Sequence, residues 1–131
     1  MSNSSRGAVA RPRILIVEDD PGARRSLLLL LKGRGFDVAA HSTMAQALAD
    51  AALHPPDCLV TDYRLNDEDG IDLLDTLRRS GWGGPAILIS AFASSGLSTR
   101  ADTAGFTMMF DKPLREHALV DAVRRLTATA D

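Results

Sequence analysis

Five short apolar runs, RILIV (13–17), FDVAA (36–40), DCLVTD (57–62), AILIS (86–90) and TMMF (107–110), punctuate the chain with a helix-length stretch after each. The first, third and fourth have little polar alternation, as strands buried on both faces of a parallel sheet require. The intervening stretches carry helix signals. Pro21-Gly22 opens the first, and Gly33 and Gly35 close it. Ser42-Thr43 caps residues 43–53, which end at His54-Pro55-Pro56. IDLLDTLRRS follows Gly70 with either Ile71, Leu74 and Leu77 or Leu73 and Leu77 supplying one apolar face, and GWGG-Pro85 ends it. Ser94-Ser95 caps 95–104, and Pro113 starts a last helix with Leu119, Val120, Val123 and Leu126 inward. Strand followed by helix, five times over, predicts one α/β domain: a doubly wound parallel sheet with helices on both faces.

Composition narrows the function. A chain of 131 residues suits a single core, and a formal net charge of −2 is the wrong balance for a nucleic-acid binder. No apolar run reaches membrane-spanning length. The leading MSNSSRGAVA lacks the apolar block of a secretory signal and reads as a disordered lead-in. Cys58 is the only cysteine, so no internal disulfide forms, which suits a reducing cytoplasm; its flanks make it a packing residue. His41, His54 and His117 show no metal-ligand spacing and are read as surface residues.

In open α/β sheets, ligands sit beyond the carboxyl ends of the strands. The first run ends in Glu18-Asp19-Asp20, the third in Thr61-Asp62, the fourth in Ser90-Ala91, and the fifth in Asp111-Lys112-Pro113. Lys112 is one of only two lysines beside thirteen arginines. Two carboxylates about 4 Å apart repel by roughly 4 kcal/mol at an effective dielectric near 20. A hard, oxygen-loving cation turns that repulsion into coordination, and Mg²⁺ fits best. A carboxylate in such a site can act as nucleophile and take a phosphoryl group, with the metal, a lysine and a hydroxyl sharing the phosphoryl charge.

The blocks ILIVEDDP, LVTDYRLNDEDGIDLL, ILISAFA and DKPL resemble those of bacterial two-component response-regulator receiver domains, in order and spacing, from about Pro12 to Leu126. The resemblance implies a flavodoxin-like fold with strand order 2-1-3-4-5 and five flanking helices. It sets residues 12–127 as the receiver, 1–11 as lead-in and 128–131 as tail. It also implies that Asp62 is the phosphoacceptor and that Mg²⁺ is held by Glu18, Asp19, Asp62 and the backbone carbonyl of Arg64. Ser90 then matches the switch hydroxyl, Lys112 the site lysine, and Lys112-Pro113 a bond often held cis. Asp20 turns the chain into its helix. The implied partner is a histidine kinase or a histidine phosphotransfer protein. The implied output is protein contact, including a homodimer through helix 95–104, strand 107–110 and helix 113–127.

Two residues depart from the family pattern. Asn66 stands where proline is frequent, which leaves that loop less rigid, and Met109 stands where an aromatic switch residue is usual. Alternative roles stay open: a phosphorelay shuttle, the front of a longer transcription regulator, or a phosphorylation-independent scaffold. From another class, a small Mg²⁺-dependent phosphohydrolase would use Asp62 on an external substrate. Those enzymes usually place a second acid two residues later, where this chain has Arg64. The run Leu27 to Leu31 covers every side of a helix and reads as a core helix or a docking stripe. Trp82 reads as a loop residue packed on the domain edge.

Overall fold

A computed structural model describes residues 11–128 apart from 67, 92 and 93. The expected lead-in and tail therefore lie largely outside the described residues. The main strands are β1 (Arg13–Val17), β2 (Asp37–His41), β3 (Cys58–Asp62), β6 (Ala86–Ser90) and β7 (Met108–Asp111). All pair in parallel in the order β2-β1-β3-β6-β7, the order expected. Between Asp62 and the third helix a small antiparallel pair forms, β4 (Arg64–Leu65) and β5 (Glu68–Asp69).

Five helices cover the sheet: α1 (Pro21–Gly33), α2 (Met44–Leu53), α3 (Gly70–Arg79), α4 (Ser95–Ala104) and α5 (Glu116–Thr127). Strand alternation divides the core into two layers. Leu15, Val17, Leu59 and Leu88 face α2, α3 and α4. Ile14, Ile16, Val60, Ile87 and Ile89 face α1 and α5, where Leu27, Leu31, Leu119 and Val123 receive them. Each side chain of β3 and β6 is buried, which explains the unbroken apolar runs.

Local chemistry sets the helix starts. Asp20, Thr43, Asp69 and Ser94 each accept a bond from the backbone N–H three residues on, satisfying donors that the first turn leaves unpaired. The last helix begins at Glu116 rather than at Pro113, and its cap residue, Arg115, makes no side-chain cap bond. Residues 113–115 are spent crossing from the strand end to the helix, with Leu114 packed against the α1/α5 layer. In α1 the leucine run resolves into buried Leu27 and Leu31 and an exposed Leu29 (54%).

Trp82 packs at the domain edge as expected, its indole Nε1 donating to the Pro56 carbonyl at 2.8 Å under the guanidinium of Arg78. His41 departs from the surface reading. It is half-buried, and its Nε2 lies 2.8 Å from Asp50, which Arg13 also bridges at 3.0 Å. The His41 hydrogen bond, with Arg13 adding to it against burial, holds the Asp50 carboxyl below its ordinary range. Among the described residues, no helix is long and apolar enough to cross a membrane.

Candidate functional site

The carboxyl ends of β1, β3, β6 and β7 deliver Glu18, Asp62, Ser90 and Lys112 to one rim. Carboxylate oxygens of Glu18, Asp19 and Asp62 all lie within 4.8 Å of one another. Lys112 Nζ donates to Asp62 Oδ2 at 3.0 Å and to Glu18 Oε1 at 3.3 Å. Glu18, Asp62 and Ser90 are buried, Glu18 to 2% exposure. The Lys112-Pro113 bond is cis, and the Lys112 N–H donates to the Ser90 carbonyl at 2.9 Å, tying the ends of β6 and β7 together.

Backbone donors fix the acids. The Asp20 N–H reaches Glu18 Oε2 at 3.1 Å, and the Asn66 N–H reaches Asp19 Oδ2 at 3.2 Å. The Glu18 N–H continues the ladder to the His41 carbonyl at 3.0 Å. Asp20 itself turns away to cap α1, accepting from the Ala23 N–H at 2.8 Å. Asn66 has φ 60, a left-handed conformation that proline's ring forbids, and its N–H is one that proline lacks. The departure from the family pattern thus supplies a contact to the acid cluster.

Burial pushes the Glu18 carboxyl up to about 7; the Asp20 N–H opposes this, the Asp62 charge adds to it, and Lys112 offsets part. For Lys112, burial pulls downward, but the hydrogen bond and charge of Asp62, joined by Glu18, hold the amine above its ordinary value. Three convergent carboxylates with one amine leave an excess of negative charge in a buried place. An all-oxygen set of this kind suits a hard divalent cation.

Gly70 sets the floor beneath Asp62. A Cβ there would stand 2.6 Å from the Asp62 carbonyl oxygen and 3.0 Å from Thr61 Cγ2, so only glycine admits α3 this close. Beside the acids, a groove of about 240 Å³ runs between α1 and the segment after β7, lined by Leu27, Leu30, Pro113 and Leu114. Met109 is half-buried against the layer that contains α4. Arg64 is exposed on β4.

Residues 14–124 match the response regulator receiver domain. The chain belongs to that family. This receiver is 39% identical over 123 residues to the transcriptional regulatory protein KdpE of Mycobacterium tuberculosis, covering 90% of this chain and 54% of that protein. It is 34% identical to the DNA-binding response regulator MtrA of Mycolicibacterium smegmatis, covering 87% and 50%. It thus spans about half the length of the curated relatives it matches. Among solved structures, it superposes on a CheY-like receiver domain protein from Methanospirillum hungatei with a TM-score of 0.82 at 26% identity, covering 88% of this chain and 92% of that one. The non-phosphorylated HemR receiver domain of Leptospira biflexa gives 0.83 at 26% identity, covering 92% and 98%.

Several contributors to the receiver's site went unread in the sequence. The Asn66 N–H, the Gly70 floor and the guanidinium of Arg24 act through backbone atoms, which residue type alone does not advertise. Arg24 Nη1 donates to the carbonyls of Glu18 at 3.1 Å and Asp19 at 3.4 Å.

Proposed function

We propose that this receiver is a phosphorylation-controlled switch of a two-component system, with Asp62 as phosphoacceptor. A carboxylate oxygen of Asp62 attacks the phosphorus of a phosphohistidine on a histidine kinase or histidine phosphotransfer protein. The P–N bond breaks, the imidazole leaves, and an acyl phosphate remains. Glu18, Asp19, Asp62 and the Arg64 backbone carbonyl would hold Mg²⁺, which when bound offsets the charge on the phosphoryl oxygens. Lys112 then supplies a cation and Ser90 a hydroxyl donor to those oxygens. The observation that carries this reading is the buried Asp62 carboxylate, paired to Lys112 and grouped with Glu18 and Asp19.

The energetics suit a switch. A phosphoryl group adds about −1.5 to −2 of charge. Charge-assisted hydrogen bonds contribute roughly 1.5–3 kcal/mol each, and reversing a 1:99 equilibrium needs about 5.5 kcal/mol. A Ser90 contact to the phosphoryl group contributes one such bond, while Lys112 exchanges its existing bond to Asp62 for one to the phosphoryl oxygens. Together they bias the segment after Ser90 and α4 and supply part of that reversal. The output is protein contact in the cytoplasm, including a homodimer across α4, β7 and α5. There the edge strand carries the half-buried Met108 and Phe110. The receiver itself does not contact nucleic acid. It acts on its own aspartate rather than on external substrates, since exposed Arg64 stands where a phosphohydrolase needs its second acid.

Incubation with acetyl phosphate and Mg²⁺ should label the protein. The label should disappear in Asp62→Asn and on chelation; labelling that survives the substitution would refute the assignment.

A further inference from the structure

Strand β1 is followed by three successive carboxylates, Glu18 to Asp20, and side-chain charge alone would drive that segment apart. Two sets of contacts oppose this. On the carboxylate side, the N–H groups of Asp20 and Asn66 hold Glu18 and Asp19. On the backbone side, one residue of α1 engages three carbonyls in a row. The Arg24 N–H donates to the Asp20 carbonyl at 2.9 Å as part of the first helical turn. Its Nη1 then reaches back to the carbonyls of Glu18 and Asp19.

The choice of partner is informative. Arg24 sits half-buried within reach of an acidic segment, yet its guanidinium forms no ion pair with a carboxylate among the described residues. It is committed to the peptide groups instead. Fixing the two carbonyls fixes the peptide planes on either side of Asp19. Those planes determine where the Glu18 and Asp19 side chains leave the backbone.

We propose that Arg24 is a positioning residue for the cation site: its guanidinium holds the Glu18–Asp20 backbone so that the Glu18 and Asp19 carboxylates converge with Asp62. The inference rests on the reading of that cluster as a Mg²⁺ site.

The sign of one measurement separates positioning from simple charge. A guanidinium near the acids repels a dication, so by charge alone its removal tightens Mg²⁺ binding. Loss of positioning weakens it, and groups that orient metal ligands commonly change affinity by about tenfold or more. The experiment is calorimetric titration of the full chain with Mg²⁺ alone, for wild type, Arg24→Met, Arg24→Gln and Arg24→Lys, with circular dichroism confirming fold. Arg24→Met should bind about tenfold more weakly, and Arg24→Lys, which keeps a donor and the charge, should recover part of the loss. Metal-free amide exchange at Asn66 should also quicken in Arg24→Met, because its acceptor on Asp19 is no longer held. Should Arg24→Met fail to fold, Arg24→Gln gives the same reading with one neutral donor. Affinity equal to or tighter than wild type in a folded Met or Gln variant overturns the inference. Failure of the wild type to bind Mg²⁺ would instead sink the metal reading on which it rests.

Discussion

Glu18 offers a quantitative test because its ionisation is coupled both to folding and to any cation at the rim. Its carboxyl ordinarily titrates at 4.5 and is pushed up to about 7 in the folded chain, first by burial and further by the Asp62 charge. Between those values the folded state binds a proton that the unfolded state releases. The resulting stabilisation is complete below about pH 4.5 and is lost as pH rises through about 7, so metal-free stability should fall across that interval. The shift corresponds to about 3 kcal/mol. A cation requires the ionised form, so proton and metal compete. With a pKa of about 7, apparent Mg²⁺ affinity should drop about tenfold from pH 8 to pH 6. Calorimetric titration at pH 6, 7 and 8, beside thermal melts of the metal-free protein, reads both effects. Glu18→Gln should bind Mg²⁺ more weakly at every pH but with a flat profile, and its melts should lose the corresponding slope. An unchanged affinity between pH 6 and 8, or an equal slope in Glu18→Gln, would refute the reasoning.

Three further outcomes follow from the geometry. Lys112→Met leaves the Glu18 and Asp62 carboxylates without their shared amine, so stability should fall by about 1–3 kcal/mol at pH 8 and by less at pH 6, where Glu18 is protonated; chemical denaturation at both values checks this. Gly70→Ala drives a methyl against the Asp62 carbonyl, and should destabilise by about 1–3 kcal/mol while slowing acetyl-phosphate labelling. Asn66→Pro removes both the left-handed conformation and the N–H to Asp19, so Mg²⁺ titration should show weakened binding, whereas Asn66→Gly should stay within about 1 kcal/mol of wild type in stability.

The fold was legible where burial on both faces writes itself into every residue, as in AILIS and CLVTD. Helix starts were legible where a capping side chain announces them, as at Thr43 and Ser94. The start of α5 was misplaced because proline there looked like a first helical residue, while the chain needed three residues to reach the helix. The convergence of acids, hydroxyl and lysine followed from strand ends meeting at one rim. The half-burial of His41 did not, because its partner Asp50 lies on the next helix and nothing local requires the pair. Asn66 gave a residue type but not its left-handed backbone, and Gly70 resembled any helix-leading glycine. The upward push on Glu18 depends on how deeply neighbouring elements cover it, which no run of letters encodes.

The side chains at the strand ends give the sheet an asymmetry that the strand order, with two strands on each side of β3, does not. Asp62 sits at the end of the central strand. On one flank lie β1 and β2, braced by the Arg13, Asp50 and His41 pairs. On the other lie β6 and β7, whose ends carry Ser90 and then Lys112. Among the described residues, the hydroxyl and the amine at this rim both lie toward β7, while the acids that accompany Asp62 lie toward β1, so the central carboxylate stands on a boundary between donors and acceptors.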